Sequence, residues 1–345
     1  MSGEHKVRVL DTAADLPAVA ALLESEVPTY GGARKSAAEY LPHLEWLLTG
    51  NPDRNGYPPG WVLQGADGTL SGVHLSVPRL FSSSEGLLPF FFSSYFFVKT
   101  EARGMESLGL FLSYRKLAAH GVLVASSANA NSAPLWQKLG GREIPDTGHE
   151  WLKPLRMLPL AEEALFRRFG RRWRLPGASA RFSLIEPPGS SPLRWLRTPE
   201  EIAGAAIPAS TGLLQPVRSR EWLLWKFGRP AQSEYRLYQW NSGPSPVYLV
   251  VALSRRGWRG QIRCLQITDA WSAAEYPAVA AVEAVVALHR KDADTLALRG
   301  RGALATAAEA LGWRRRVLSA PVLWWASTHA SRLDSLPELY PDSGA

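Results

Sequence analysis

The chain has 345 residues with a net charge of +8; 46% of its residues are hydrophobic and 20% are charged, which is typical of a folded protein of about two domains. This balance excludes a chain that is disordered throughout, and a single cysteine, Cys264, excludes an internal disulfide framework and a cysteine-zinc site. The sequence shows no apolar run of the roughly 20 residues that a membrane span needs, and residues 1–10 do not resemble a secretory signal. We therefore expect a cytoplasmic protein without a transmembrane segment.

The first 150 residues alternate between strand and helix patterns. In chain order they predict a strand at 7–10, a helix that begins near Asp11 or Thr12, a helix over 36–48, strands at 61–64, 72–77 and 89–98, a loop at 99–104, a helix through 108–117, a strand at 122–126 and a helix at 132–139. Asp67 and Gly68 form a hairpin signal between two of these strands. The order is strand, two helices, three antiparallel strands, helix, strand, helix.

The second half repeats this order. Thr198 and Glu201 form a capping box, followed by a tryptophan-rich helix at 220–227, strands at 235–240, 247–253 and 261–269, a helix at 277–290, a strand at 295–298 and a helix at 303–311. The repetition predicts a duplicated α/β (α+β) fold, with two domains at 1–155 and 193–345 joined by a connector at 156–192. Each domain is expected to be a twisted, mostly antiparallel sheet flanked by helices.

The loop after the apolar strand has the composition of a phosphate-binding turn. Its segment is VKTEARGMESLG (98–109), in which Gly104 permits close backbone approach and Arg103 adds a positive charge. A loop that opens a helix presents free backbone amides and the positive end of the helix dipole, which suit a pyrophosphate.

Together with a second segment, this loop resembles the GNAT superfamily of acyl-CoA N-acyltransferases. The 98–109 segment is similar to motif A of that family. The segment NANSAPLWQKLGG (129–141) is similar to its strand-five and helix-four region, with the family's spacing from Asn129 through Trp136 to Gly140. The second half resembles the family by element order alone, which suggests a tandem protein with a degenerate C-terminal repeat.

The resemblance implies that an amine attacks the thioester of acyl-CoA, which is a co-substrate, and that no metal takes part. It implies that the backbone of the apolar strand donates to the thioester oxygen. The residues that it places against CoA are Phe96, Phe97, Val98, Arg103, Gly104, Met105, Glu106, Ser107, Leu108, Gly109, Asn129, Ser132, Leu135 and Trp136.

Three positions depart from the family pattern. Glu106 and Leu108 stand where motif A usually has glycines, so that a carboxylate faces the pyrophosphate, and Gly104 with Gly109 offers a shifted register. Trp136 stands where many members have a tyrosine that acts as the general acid, and an indole N–H cannot donate a proton in that way. We therefore expect Trp136 to form a wall of the thioester pocket and to take no part in proton transfer.

The candidate general bases near the apolar strand are Glu101, His74 and Tyr95, the last acting through water. His74 lies in the middle of a strand pattern, where a hydrogen-bonded structural histidine is the alternative. Glu101 could equally be a solvated side chain beside the loop.

The second half lacks the phosphate loop, because residues 270–277, AWSAAEYP, which follow the strand ending at Asp269, contain neither an Arg-Gly pair nor a glycine. We interpret it as a repeat that shapes the cleft for an amine-bearing small molecule or peptide. The connector carries FRRFGRRWR (166–174), which is either a solvated linker or a contact for an anionic surface through Arg167, Arg168, Arg171, Arg172 and Arg174.

Two other functions stay open on the sequence alone. An aminoacyl-tRNA-dependent transferase also pairs two such folds, and it predicts a salt-sensitive RNA complex without affinity for CoA. A non-catalytic acyl-CoA-binding or scaffold protein would explain Glu106, Leu108 and Trp136.

Overall fold

Two β-sheets form the framework of the molecule. The computed structural model describes residues 5–26, 35–83, 86–125, 132–138, 140–143, 149–169, 186–207, 214–228, 235–243, 245–256, 262–273, 278–298, 302–317 and 323–326. Asn129, Arg171, Arg172 and Arg174 lie outside this part of the chain.

The elements of the first half follow the predicted order. They are β1 (Lys6–Val9), α1 (Leu16–Glu26), α2 (Ala37–Thr49), β2 (Gly60–Gln64), β3 (Leu70–Ser83), β4 (Gly86–Val98), α3 (Met105–Arg115), β5 (Val122–Ala125), α4 (Ala133–Lys138), β6 (Arg142–Glu143), β7 (His149–Pro154) and α5 (Met157–Phe169). Short 3-10 turns at Pro52–Arg54, Thr100–Ala102 and Lys116–Ala119 complete this half.

The second half repeats most of that order. Its elements are β8 (Leu193–Trp195), α6 (Pro199–Gly204), β9 (Gln215–Pro216), α7 (Arg220–Phe227), β10 (Tyr235–Trp240), β11 (Val247–Arg256), β12 (Ile262–Ser272), α8 (Ala278–His289), β13 (Thr295–Leu298), α9 (Gly302–Ala310), β14 (Arg314–Val317) and β15 (Leu323–Ala326). The Thr198 capping box of α6 is confirmed, since the Glu201 amide donates to Thr198 Oγ1 at 3.2 Å.

The two sheets have the same strand order. The first runs β1-β2-β3-β4-β5-β15-β6, with β9 paired to β3, and the second runs β8-β10-β11-β12-β13-β7-β14. In each sheet the central pair is parallel, β4 with β5 and β12 with β13, and the neighbouring pairs are antiparallel. The expected α/β class, with mostly antiparallel sheets flanked by helices, is confirmed.

The halves exchange one strand with each other. Strand β7 lies between β13 and β14, with Trp151 opposite Leu298, and β15 lies between β5 and β6, with Leu323 opposite Ala125. Neither sheet is therefore built from one half of the sequence alone. The division at residues 155 and 193 remains a prediction, and the exchange means that separating the halves there would remove a strand from each sheet.

Strand alternation divides the first sheet between two apolar cores. Trp61 and Leu63 pack on the side of α3 and α4, whereas Val62 between them packs on the side of α1 and α2. The second sheet is arranged alike, with α8 and α9 on one face and α6 and α7 on the other. The two faces of the first sheet matter for function, because they separate the candidate residues described below.

A pair of tryptophans joins the halves. Trp46 of α2 and Trp225 of α7 stack with ring centroids 4.8 Å apart, and each indole N–H donates to the other's backbone carbonyl, at 2.9 and 3.0 Å. The β9–β3 pairing adds a second contact between the halves. In the described part of the chain, no helix has both the length and the apolar character for crossing a membrane.

Candidate functional site

Strands β4 and β5 separate part of the way along β4. Their parallel pairing is confined to Phe90–Phe92 against Val122–Val124, while β4 continues to Val98 and β5 ends at Ala125. The backbone of β4 beyond Phe92 therefore has no strand of the described chain beside it on that edge. An extended ligand could pair with this edge as an added strand would.

A β-bulge lies on the separated part of β4. Leu75 faces Ser94 and Val73 faces Phe97, so that Tyr95 and Phe96 together oppose His74. Tyr95 has a φ of 47°, in the left-handed region that non-glycine residues seldom adopt. Such a bulge turns the strand backbone, and it is common beside active sites.

Tyr114 of α3 lies where the two strands diverge. Its hydroxyl donates to the Phe91 carbonyl of β4, and the Val124 carbonyl of β5 lies 3.4 Å away. The ring is fully buried, and burial raises the pKa of the hydroxyl, so that it remains a donor. From the sequence, Tyr114 was placed only within the helix predicted through 108–117, because its two carbonyl partners are distant in the chain.

His74 is enclosed on the α3 face of the sheet. Its ring lies 4.6 Å from Phe96 and 4.3 Å from Tyr114, centroid to centroid, and Nε2 is 2.8 Å from Ser93 Oγ. Burial lowers the pKa of the imidazole to about 3, so that it is neutral at physiological pH. The side chain is 0% exposed. Its contacts with Ser93 and Phe96 are those of a buried structural side chain packed against the bulge.

Tyr95 points to the opposite face, towards α2. Its ring lies 6.2 Å from that of Tyr40 and 6.3 Å from that of His43. Burial raises the pKa of Tyr95 to about 12, whereas burial and nearby lysines lower the pKa of His43 to about 4. A protonated phenol and a neutral imidazole therefore stand together here. Sequence analysis missed Tyr40 and His43, although their i, i+3 spacing on α2 was a signal.

The three candidate bases do not converge on one point. His74 and Tyr95 lie on opposite faces of the sheet, and Glu101 is exposed on the 3-10 turn Thr100–Ala102 beyond the end of β4. Of the three, Tyr95 is the one that belongs to the bulge itself.

The N-terminus of α3 follows the end of β4 closely. Gly104 has φ 156° and ψ −144°, a conformation that is essentially restricted to glycine. Its amide donates to Ser107 Oγ at 3.1 Å, while the Leu108 amide makes the first helical bond, to the Gly104 carbonyl at 3.2 Å. In an α-helix each amide donates to the carbonyl four residues earlier. The amides of Met105 and Glu106 lie in the first turn, so they have no such partner within the helix. These amides and the exposed surface around Met105 form a candidate anion site.

The two charged side chains at this turn have opposite effects on the binding of an anion. Arg103 Nε donates to the Val98 carbonyl at 3.2 Å, which fixes the guanidinium between β4 and α3. The Glu106 carboxylate lies over the helix start, since Oε2 would be 3.4 Å from a Cβ added to Gly104. It stabilises the helix dipole but occupies space that a phosphate would need. The backbone thus suits CoA, and Glu106 weakens the fit.

Most of the remaining predicted contacts lie around α3 and α4, whereas Phe97 packs on the α1 and α2 face of the sheet. Trp136 is 1% exposed and packs its edge against Phe111, with centroids 4.7 Å apart. The Ser132 carbonyl accepts the Trp136 amide at 3.2 Å at the start of α4. Gly109 lies inside α3, where an added Cβ would come within 3.1 Å of Val7, so that close packing on β1 accounts for this glycine. The partly buried residues are Phe96, Phe97, Ser107, Leu108 and Leu135, and Val98 is buried.

A buried ion pair lies on the corresponding part of the second sheet. Strand β12 also outruns its parallel partner β13, pairing through Ile267 and continuing to Ser272. On this extension Asp269 accepts two hydrogen bonds from Arg218 Nη2, at 2.8 and 2.9 Å, and both residues are buried. The Arg218 guanidinium also lies 4.7 Å from the centroid of the Trp271 ring, and Trp271 packs in the core on the α6 and α7 face.

Solved structures of acyltransferases share this architecture. A probable N-acyltransferase from Enterococcus faecalis superposes with a TM-score of 0.55 at 12% identity, covering 93% of this chain and 72% of its own. A GCN5-related N-acetyltransferase from Anabaena variabilis gives 0.53 at 14% identity over the same shares of the two chains. Saccharomyces cerevisiae N-myristoyltransferase with bound myristoyl-CoA gives 0.54 at 10% identity, covering 94% and 78%.

Sequence comparison alone finds no relative. No protein-family model matches the chain, and no curated protein matches it significantly. At these identities the structural likeness establishes the fold alone. The expectation from the sequence is confirmed: the chain has the GNAT fold of the acyl-CoA N-acyltransferases.

Proposed function

We propose that the chain is an N-acyltransferase that moves an acyl group, acetyl or longer, from acyl-CoA to an amine. The observation that carries this proposal is the continuity of two binding features. Beyond Phe92 no described strand pairs with this edge of β4, and after the turn Thr100–Ala102 the chain enters the glycine-led N-terminus of α3. The edge of β4 suits an extended chain that bears amides, such as the pantetheine arm of CoA. The N-terminus of α3 suits a pyrophosphate, which follows that arm in CoA.

In the proposed pose, CoA lies along the chain from the first turn of α3 back to the bulge of β4. The pyrophosphate lies on the amides of Met105 and Glu106 beside Arg103, and the pantetheine arm runs along Phe96–Val98. The thioester then reaches the bulge, where a backbone amide donates to its carbonyl oxygen and stabilises the negative charge that develops there. Trp136, packed on Phe111, closes the α4 side of this region.

The reaction is direct transfer. The amine nitrogen attacks the thioester carbon, the C–S bond breaks, CoA leaves as the thiolate and the nitrogen loses a proton to a base or to water. Tyr95 is protonated at neutral pH because its pKa is about 12, so that it suits donation to the thiolate better than proton abstraction. His43 lies 6.3 Å from Tyr95 between ring centroids, and its pKa of about 4 leaves it neutral but a weak base, so that water is the proton acceptor in this proposal.

The second half completes the proposal as a degenerate repeat. The extension of β12 carries the buried Arg218–Asp269 ion pair, and the segment after it lacks the Arg-Gly turn, so we assign no CoA site to this half. Through Trp225 it packs on α2, the helix that carries His43, and it would shape the cleft for a small amine or a peptide.

Release of free CoA tests the proposal. Acetyl-CoA and longer acyl-CoAs are incubated with a panel of small amines and peptides, and the new thiol is measured with a chromogenic disulfide. The protein contributes little background, because Cys264 is its one cysteine and is 0% exposed. Amine-dependent release that Arg103→Glu abolishes is expected. Binding of no acyl-CoA at millimolar concentration would contradict the proposal.

Glu106 favours one alternative. A carboxylate over the helix start suits a protein that binds acyl-CoA weakly without turnover. Calorimetric binding with no release for any amine would support this scaffold function. An RNA complex that weakens steeply with salt, without CoA affinity, would support the aminoacyl-tRNA-dependent transferase.

A further inference from the structure

A cavity lies beside β8, the last strand of the second sheet. Its volume is about 130 Å³, and eight residues from β8, the turn after it, α6, α7 and β10 line it. Four of these eight belong to the apolar core on the α6 and α7 face, namely Leu196, Ile202, Phe227 and Leu237. An apolar cavity of about 150 Å³ accommodates one benzene ring, so that this cavity suits an apolar group of about that size.

Two arginines face each other at this cavity. The register of β8 with β10, continued past Trp195, places Arg197 opposite Arg236, and both residues line the cavity. The pairing does continue there, because the Leu196 amide donates to the Leu237 carbonyl at 2.9 Å. Like charges directly opposite each other on neighbouring strands destabilise a sheet, so this arrangement needs a physical reason.

Trp195 holds the two guanidinium groups together. The Cζ atoms of Arg197 and Arg236 lie 4.0 and 4.7 Å from the centroid of its ring. Burial is the main cause that lowers the pKa of Arg236; Tyr238 opposes this effect and the charge of Arg197 adds to it. Arginine nevertheless stays protonated in proteins. Two positive charges are therefore fixed side by side, and a bound anion would relieve their repulsion.

The acidic side chains nearby leave room for such an anion. None of the eight residues that line the cavity is acidic. Glu186 pairs with Arg197 Nη2 at 2.5 Å, but its side chain is 68% exposed, and an ion pair so exposed contributes little. The Glu201 carboxylate accepts the amides of Arg197 and Thr198 at the start of α6. A guanidinium has five N–H donors, so Arg197 can bind a second carboxylate beside Glu186.

We propose that this cavity binds a small monocarboxylic acid whose body is an aromatic ring or a branched aliphatic group. The carboxylate lies between the guanidinium groups of Arg197 and Arg236, which donate charge-assisted hydrogen bonds to it. The apolar body fills the cavity against Ile202 and Phe227. Inorganic phosphate would satisfy the arginines but leave the apolar wall uncovered. The proposal is independent of acyl transfer, because every lining residue lies in the second half of the chain.

A ligand-observed NMR titration of the full chain with benzoate tests the proposal. Benzamide has the shape of benzoate without the charge, and acetate has the carboxylate without the ring. The variants Arg197→Gln and Arg236→Gln each remove one charge from the cavity. Arg194→Gln is the matched control, since the Arg194 side chain is 56% exposed against 45% for Arg197 and does not line the cavity. Circular dichroism confirms that each variant is folded.

We expect benzoate to bind about tenfold or more tightly than benzamide, because benzamide cannot accept charge-assisted hydrogen bonds. Acetate should bind about tenfold or more weakly than benzoate, since it makes no apolar contact with the cavity. Arg197→Gln and Arg236→Gln should each weaken benzoate binding about tenfold, whereas Arg194→Gln should change it less than twofold. Arg197→Gln alters an exposed side chain, so that it tests the proposal even where Arg236→Gln does not fold.

Four results would overturn the proposal. Equal affinity for benzoate and benzamide would show that the arginines do not contact the ligand, and equal affinity for acetate would reduce the cavity to an ion-binding surface. An equal loss in Arg194→Gln and Arg197→Gln would assign the effect to net charge alone. A peptide with a C-terminal phenylalanine that binds more tightly than benzoate would assign the cavity to a protein partner.

Discussion

Replacing Glu106 by glutamine should tighten the binding of CoA. The Glu106 carboxylate lies over the start of α3, with Oε2 3.4 Å from a Cβ position on Gly104, and a pyrophosphate bound by the same amides would lie on the order of 6 Å from it. For one phosphate charge, Coulomb's law gives a repulsion of about 0.7 kcal/mol at the dielectric constant of water and about 3 kcal/mol at an effective value near 20. Affinity should therefore rise between about 3-fold and about 100-fold.

The same substitution should lower stability slightly. A carboxylate in the first turn contributes about 0.3–1 kcal/mol through the helix dipole, and glutamine removes that charge. Titration calorimetry with CoA at low and high salt, together with chemical denaturation, measures both effects. The gain in affinity should shrink as salt rises. Glu101→Gln, an equal change of net charge on the preceding turn, is the control and should have the smaller effect. Identical affinities for Glu106→Gln and the original chain would refute the placement of the pyrophosphate on α3.

Three other substitutions test the remaining contacts. Tyr114→Phe removes the buried hydroxyl that donates to the Phe91 carbonyl and should lower the free energy of unfolding by about 1–3 kcal/mol; no loss in denaturation would contradict its role between the strands. Trp225→Phe removes one of the two reciprocal hydrogen bonds with Trp46 and should cost about 0.5–1.5 kcal/mol, and an unchanged melting curve would show that this contact is dispensable. Trp136→Phe should leave turnover nearly unchanged, whereas Trp136→Ala should destabilise by about 3–5 kcal/mol and alter acyl-chain preference. Abolished turnover in the phenylalanine variant with CoA binding retained would show that the indole N–H takes part.

The sequence predicted local elements well, because their signals are local. The apolar run that became β4 and the Arg103-Gly104 turn before α3 stand next to each other in the chain, so that spacing alone placed a glycine at a helix start. Boundaries shifted where the surroundings decide them: β3 extends to Ser83 instead of residue 77, and α1 begins at Leu16 after a turn closed by Asp11.

The strand exchange could not be predicted from periodicity. The exchanged strands are β7, with the sequence HEWLKP, and β15, with the sequence LWWA, and neither carries an alternating apolar pattern. Their positions depend on pairing with β13 and β5, which are more than 140 residues away in the chain. Such non-local pairing leaves no mark on a single sequence window.

The arrangement of the site residues was likewise not predictable from the sequence. Glu101, His74 and Tyr95 were grouped because they flank one strand, but alternation along the sheet places His74 and Tyr95 on opposite faces. The bulge at Tyr95 and the contacts of Tyr114 with two strands arise from tertiary packing. A residue-type pattern therefore located the strand and helix of the site but not the arrangement of its side chains.

Hydrogen–deuterium exchange with and without acetyl-CoA shows where the ligand binds on the chain. A ligand on β4 beyond Phe92 and on the first turn of α3 should slow exchange of the amides in 93–98 and 104–108 at saturating acetyl-CoA. Peptides from β12 and α8, at the equivalent place in the second sheet, should exchange unchanged. Protection of the second sheet alone, or binding that leaves 93–108 unchanged, would contradict this placement of acyl-CoA.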